Sequence, residues 1–302
     1  MDLDPYIEFR DRLLDAGVIV ASPVRGLYGK ARPFVEVYDG VERLVSAEVS
    51  LDRPELFRFP PFIPRDMYLR TDYLRSFPDL IGSVHSFTGD DREHAALLNV
   101  LDDGGDWGAE LSTTDLMLLP AACYPVYGML SGRTDVDGRR FDVLGTCFRH
   151  EGSDDPARLM SFHQHEQVYV GTEDGALEFR DDWIDRSVAL MGSLGLDVRP
   201  EVANDPFFGR AGKMLSRSQR ESALKFEIVA TVANADKPTA IVSCNCHRDH
   251  LTNAFEITGT DGAVAHSACV GFGMERIVGA LFSQHGMDLA AWPSDVRDRL
   301  FP

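Results

Sequence analysis

Residues 147–171 read CFRHEGSDDPARLMSFHQHEQVYVG. The run FDVLGTCFR (141–149) before the polar loop HEGSDDPAR (150–158) has strand character. So does QHEQVYV (164–170) after it. Two such runs flanking a Gly- and Pro-containing loop predict a long antiparallel hairpin. Its chemistry is concentrated at the tip: Arg149-x-Glu151 ends the first strand, and Arg158, Phe162 and Glu166 follow at spacings of four. Taken singly, an Arg-x-Glu is an ordinary surface ion pair and a strand Phe is ordinary core. Only the combination points to a site.

Downstream of the hairpin, residues 177–194 predict a helix with Phe179, Trp183, Val188 and Met191 inward, ended by Gly195. Residues 225–232, 239–245 and 263–271 predict strands, and 272–284 a helix entered through Gly271 and Gly273. Upstream, residues 5–16 predict a helix. So do residues 34–47, where Phe34, Val37, Tyr38, Val41, Leu44 and Val45 recur at helical spacing. FRFPPFIPR (57–65) must be extended, because proline disfavours helix within and before it. Further helices are expected at 65–76 and 90–101. Strands clustered with helices, without βαβ alternation, predict an α+β fold on an antiparallel sheet, with no internal repeat or low-complexity linker.

Composition narrows the function classes. With 302 residues, 44% apolar and 26% charged, the chain can bury a sizeable core. It contains no apolar run of membrane-spanning length. Its acidic, amphipathic start MDLDPYIEFRDRLL lacks the basic and apolar regions of a signal peptide, so a cytoplasmic location is expected. A net charge of −18 repels a phosphate backbone at long range and argues against extensive nucleic-acid binding. Five scattered cysteines do not read as a disulfide framework.

A second stretch, GFGMERIVGAL (271–281), places Glu275-Arg276 at the start of a helix. Together with the hairpin it resembles motifs 2 and 3 of the class II aminoacyl-tRNA synthetases, closest to the seryl-type core. The resemblance implies a single class II synthetase-like domain over 1–302: an antiparallel sheet flanked by helices, motif 1 at about 31–64, motif 2 at about 141–170, and motif 3 at about 269–284. It implies that ATP, with Mg2+, is bound. Arg149 would hold the α-phosphate and the amino-acid carboxylate, and Glu151 would accept from the adenine amino group. Phe162 would stack on the adenine, Arg158 and Arg276 would grip the outer phosphates, and Arg276 would cover the other adenine face. Arginine suits this work because its planar fork matches phosphate oxygens and stays charged. The seryl-type core holds magnesium with an acidic residue just before a strand that reads here as TAIVSCN (239–245), which has none. Glu227 is the substitute.

Cys123 lies in LLPAACYPVYG (118–128) and Cys269 in AHSACVGFG (265–273). In the resembled core these positions and Glu166 face the amino-acid pocket, which implies a Zn2+ site with one open position, as in the atypical zinc-dependent seryl enzymes. Two thiolates and a carboxylate are ordinary zinc donors; small buried hydrophobes are the competing reading of the two cysteines. Cys244-x-Cys246 reads as structural, and the pairs His163/His165 and His247/His250 as polar surface.

The resemblance runs over nearly the whole chain to the amino acid:carrier protein ligases, stand-alone homologues of the seryl core. It includes YLRSFPDLIGSVHSF (73–87), SCNCHRDH (243–250) and DGAVAHSACVGFGMER (261–276). It implies activation of glycine or alanine and transfer to the phosphopantetheine thiol of a carrier protein, by a homodimer, with no tRNA and no membrane partner. No heptad run for a tRNA-gripping arm is found in the first 60 residues, and little chain follows His285. The segment 205–224, with Arg210, Lys213, Arg217 and Arg220, is the expected carrier-docking insertion, and Asp205 is expected to bind the substrate amine. A truncated synthetase paralogue with another acceptor, and a non-catalytic regulator, are the alternative functions.

Overall fold

In the computed structural model, which describes residues 4–203 and 223–302, the quoted stretch is the centre of the fold. Numbered along the chain, the strands are β1 (Ile19–Ala21), β2 (Tyr28–Lys30), β3 (Glu55–Phe57), β4 (Phe62–Pro64), β5 (Ser83–Ser86), β6 (Ser112–Leu118), β7 (Arg139–Phe148), β8 (Ser161–Gly171), β9 (Arg199–Ala203), β10 (Lys225–Ala230), β11 (Thr239–Arg248) and β12 (His266–Gly273). The helices are α1 (Pro5–Asp15), α2 (Arg32–Ser50), α3 (Arg65–Arg70), α4 (Tyr73–Ser76), α5 (Asp91–Asp102), α6 (Tyr124–Met129), α7 (Glu173–Gly192), α8 (His250–Ala254), α9 (Met274–His285) and α10 (Ser294–Leu300). The helix expected over 65–76 is two short pieces, because Asp72 sits at φ 58° between them.

Among the described residues, seven strands form the main sheet in the order β3-β7-β8-β12-β11-β10-β9. All its pairings are antiparallel except that of β3 with β7, which is parallel. The expected antiparallel sheet therefore carries one parallel strand at its edge, and the long connection from β3 to β7, residues 58–138, supplies the crossover that such a pairing requires.

Side chains alternate across each strand, so the sheet has two unlike faces. Against the back face, Ala268, Val270 and Phe272 of β12, Val242, Cys244 and Cys246 of β11, and Ile228 of β10 are buried with α2, α7 and α9. Helix α2 presents Phe34, Val37, Val41, Val45 and Val49, all buried, a stripe of one residue per turn. Gly40 lets the C-terminal helix approach: a Cβ there would run into the backbone of Leu300. Trp183 of α7 is fully buried and donates to Gln167 Oε1 at 2.6 Å, while the Gln167 amide donates to the Val49 carbonyl. This polar link ties α7 and α2 to β8.

The reading of the Cys244/Cys246 pair as structural matches their burial in this core. The reading of the histidine pairs as polar surface fails for His165. His165 is fully buried and bonded to Asp142 at 2.8 Å, because it lies mid-way along the back face of an inner strand packed under helices. His163 bonds Glu275, and His247 lies beside Cys269; only His250 is exposed.

The front face carries a second core built from Val143 and Cys147 of β7, Val168 of β8, Cys269 of β12, and Val126 and Tyr127 of α6. A small sheet, β4-β6-β5, stands beside it.

Candidate active site

Three strands bring the front-face residues together. On β8, alternation places Phe162, Gln164 and Glu166 on one side. In register beside Glu166 lie Gly271 of β12, then Ser243 of β11, then Glu227 of β10. Each glycine or short residue in that row leaves room above the sheet. A Cβ on Gly271 would touch the Glu166 side chain at 3.4 Å.

One end of this face is cationic. Arg149 follows β7, its Nε donating to the Pro120 carbonyl at 3.1 Å and its guanidinium lying 5.3 Å from the Phe162 ring centre. Burial works against its charge, but Tyr73, Cys147 and Glu151 hold its proton more firmly than usual. Arg276 opens α9 and donates to the carbonyls of Ala157 (3.0 Å) and Ala240 (3.2 Å). Burial lowers its pKa from the usual range; Glu151 and Glu227 pull it up, and Arg149 and Arg158 push it down. All the residues expected to bind nucleotide, apart from Phe162, thus act electrostatically on Arg276. Both arginines are half-buried, and two cations that act on each other at such a site suit an anionic ligand.

Glu151 accepts from Arg158 at 3.1 Å, so the two residues expected to reach adenine and phosphate pair with each other. The Arg158 side chain is 56% exposed, and such pairs exchange partners easily. Glu227 is half-buried beside Lys225 at 3.2 Å.

The other end is acidic. Cys123 caps the start of α6, Glu166 sits on β8 and Cys269 on β12. All three are buried, and their ligand atoms lie within 4.8 Å of one another. Glu166 accepts from the Ala122 N–H at 3.1 Å. Burial and the charge of Cys269 push its carboxyl up to about 8, against the hydrogen bond from Cys123. Hydrogen bonding from Cys123 lowers the Cys269 thiol, with His247 and Asn245 adding to it and burial opposing. Cys123 is correspondingly raised, first by that bond and then by burial. Two sulfurs and a carboxylate at this spacing fit a divalent, thiophilic ion.

Two supporting residues escaped the sequence reading. His247 Nε2 lies 3.3 Å and the Asn245 amide 3.6 Å from Cys269 Sγ. The signal was present: once Cys244 and Cys246 face the core, alternation turns Ser243, Asn245 and His247 toward the site. Asp205 and residues 205–222 of the expected docking insertion lie outside the described residues.

No protein-family model matches the chain. Amino acid--[acyl-carrier-protein] ligase 1 of Bradyrhizobium diazoefficiens is 41% identical over 277 residues, which is 91% of this chain and 85% of the relative. Ligase 2 of the same organism is 42% identical over 302 residues, 98% of this chain and 88% of the relative. A type-2 serine--tRNA ligase of Methanothermobacter thermautotrophicus is 25% identical over 254 residues, 80% of this chain and 50% of that protein. Among solved structures, M. kandleri seryl-tRNA synthetase in complex with A. aeolicus tRNASec superposes with a TM-score of 0.82 at 21% identity. That match covers 99% of this chain but 60% of the synthetase. Cytoplasmic serine-tRNA ligase of Naegleria fowleri, solved with AMP, matches at TM-score 0.73 and 16% identity. The fold is that of the class II seryl-type catalytic core.

Proposed function

Since the chain belongs to the amino acid--[acyl-carrier-protein] ligase family, we propose that it activates glycine or alanine with ATP and transfers the aminoacyl group to the phosphopantetheine thiol of a carrier protein. In the first step a carboxylate oxygen attacks the α-phosphorus, the bond to the β-phosphate oxygen breaks, and pyrophosphate leaves. In the second the carrier thiol gives its proton to solvent. Its sulfur attacks the carbonyl carbon and AMP departs, leaving a thioester.

Arg149 and Arg276 supply fixed positive charge where the α-phosphate gathers negative charge, and neither needs to reorganise. Phe162 beneath Arg149 offers a ring face for adenine, and Glu151 an acceptor once Arg158 turns to phosphate. Glu227 is the front-face carboxylate offered to Mg2+ carried in on the phosphates. Asp205 completes the amine site in this reading.

Cys123, Glu166 and Cys269 would hold Zn2+. When bound, it supplies a Lewis-acid position for the substrate's free amine. The Ala122 N–H fixes the Glu166 carboxylate, and His247 and Asn245 orient the Cys269 sulfur. Ala122, Val126 and Tyr127 pack around Cys123 and Cys269, and a small substrate side chain suits a site set among them.

The observation that carries this reading is one sheet face holding a three-ligand cluster at one end and two half-buried arginines at the other. Amino-acid-dependent ATP–pyrophosphate exchange with purified protein tests it, and is expected with glycine or alanine. No exchange with any of the twenty amino acids would sink it. If exchange occurs, a mass gain on phosphopantetheinylated carrier protein is expected. Exchange with no loading of any carrier would leave a synthetase paralogue with another acceptor.

A further inference from the structure

Glu275 is buried in the first turn of α9, yet it faces away from the cleft that its neighbour Arg276 enters. Its Oε2 accepts from the His163 backbone N–H at 2.8 Å, and its Oε1 contacts His163 Nδ1 at 2.8 Å. The Lys30 ammonium also donates to Oε1. The Lys30 side chain is 25% exposed and that of Glu275 is 3%. Lys30 ends β2 and sits against the rings of Phe34 and Tyr38, at 5.6 and 5.7 Å from their centres. One carboxylate thus fastens three separate parts of the chain: the N-terminal hairpin, the back of β8, and the start of α9.

Successive helix residues are about 100° apart around the axis. A pinned Glu275 therefore fixes the rotation of the first turn, and with it the direction in which Arg276 leaves the helix. Arg276 in turn holds the Ala157 carbonyl of the 150–158 loop. That loop is gripped by the N-terminal segment too. Arg10 and Arg25 contact Asp154 at 2.7 and 3.2 Å, and the Met160 N–H donates to the Gly26 carbonyl at 3.0 Å. A cavity of about 170 Å³, lined by Leu13, Leu27, Lys30, Pro156, Leu159 and Glu275, lies between the two segments. Apolar packing is incomplete here, so polar links carry the alignment.

We propose that Lys30, outside the nucleotide cleft, is a positioning residue for ATP binding that acts through Glu275 on Arg276. The proposal rests on Arg276 belonging to the nucleotide site. Without Lys30 a buried carboxylate loses its cation and must rearrange or take up a proton, releasing the helix turn it anchors.

The test uses the full chain with Lys30→Met, Glu275→Gln and the double variant. It measures the Kd for ATP by calorimetry, KM for ATP and for amino acid in pyrophosphate exchange, zinc content and thermal midpoint. Lys30→Met is expected to raise the ATP Kd and KM about tenfold, with the amino-acid KM within about twofold and the zinc content unchanged. Adding Glu275→Gln removes the stranded charge and keeps the acceptor for His163, so the double variant should return to within about threefold of wild type. An unchanged ATP Kd in Lys30→Met, equal losses for both substrates with a lowered midpoint, or no recovery in the double variant overturns the proposal. Wild-type protein that binds ATP but exchanges nothing sinks the activation reading instead, and the ATP Kd values still decide the role of Lys30.

Discussion

At the level of single residues, the candidate site is defined by half-buried charges that each have a partner. Arg149 pairs with a carbonyl and a ring face, and Arg276 with two carbonyls. Replacing Arg149 by Lys keeps the charge but loses the fork that matches a phosphate. We expect kcat/KM for pyrophosphate exchange to fall about 10²-fold, in the range that loss of a transition-state donor produces. Cys123 offers a sharper test. Cys123→Ser should reduce zinc measured by mass spectrometry from about one ion per chain to under a tenth, and activation by about 10²-fold or more, since a site with only three protein ligands depends on each of them. Serine-substituted protein that keeps its ion would show that the cluster is plain core. Of the candidate site residues, Arg149, Glu151, Arg158, Phe162, Glu166 and Arg276 were nominated by short spacings in the sequence. Asn245, His247 and Lys30 were not, because their roles arise from contacts with residues 22 to 245 positions away.

At the level of elements, β8 does most of the organising. One face of it carries Phe162 and Glu166 into the cleft; the other carries His163 to Glu275, His165 to Asp142 and Gln167 to α2 and α7. A one-residue slip of this strand would exchange the two sets. The Glu275 anchor gives α9 a pH dependence. Burial alone would raise its carboxyl, but the His163 hydrogen bond and the Lys30 charge leave it below the usual 4.5. Its folded pKa is then lower than its unfolded one, so the unfolded chain binds more protons in the acid range. The stabilisation is complete above about pH 4.5 and is lost as the pH falls through the folded value. Urea melts should show wild type more stable than Glu275→Gln at pH 7, with the gap closing below about pH 4. A gap that persists unchanged at pH 3 contradicts this assignment.

At the level of the whole molecule, none of the described helices is long and apolar enough to cross a membrane. The net charge of −18 sets the long-range field that any partner meets. The motif 1 span leaves Leu51 70%, Leu56 63% and Phe62 38% exposed. Large exposed apolar side chains suit an interface, and a homodimer through this span is a proposal that sedimentation tests. Sedimentation should find a dimer for the wild type and a monomer, or a dimer weakened by at least about tenfold, for Leu56→Glu. A wild-type monomer at micromolar concentration would refute the assignment.

The sequence by itself determined the local periods: two long strands around a polar loop, the α2 and α7 stripes, and the short motifs at strand tips and at the start of α9. These are set within a few residues by alternation, helical spacing and proline, so they survive without knowledge of the fold. Only the tertiary structure decided that the β3 edge is parallel, that His165 is core, and that His247 turns to Cys269. It alone decided that Glu275 serves the N-terminal hairpin rather than the cleft. Those outcomes depend on which strands become neighbours, and strand order is fixed by burial of the two sheet faces as a whole. The same burial draws Cys123, Glu166 and Cys269 within 4.8 Å from three distant segments, a convergence that no local pattern contains.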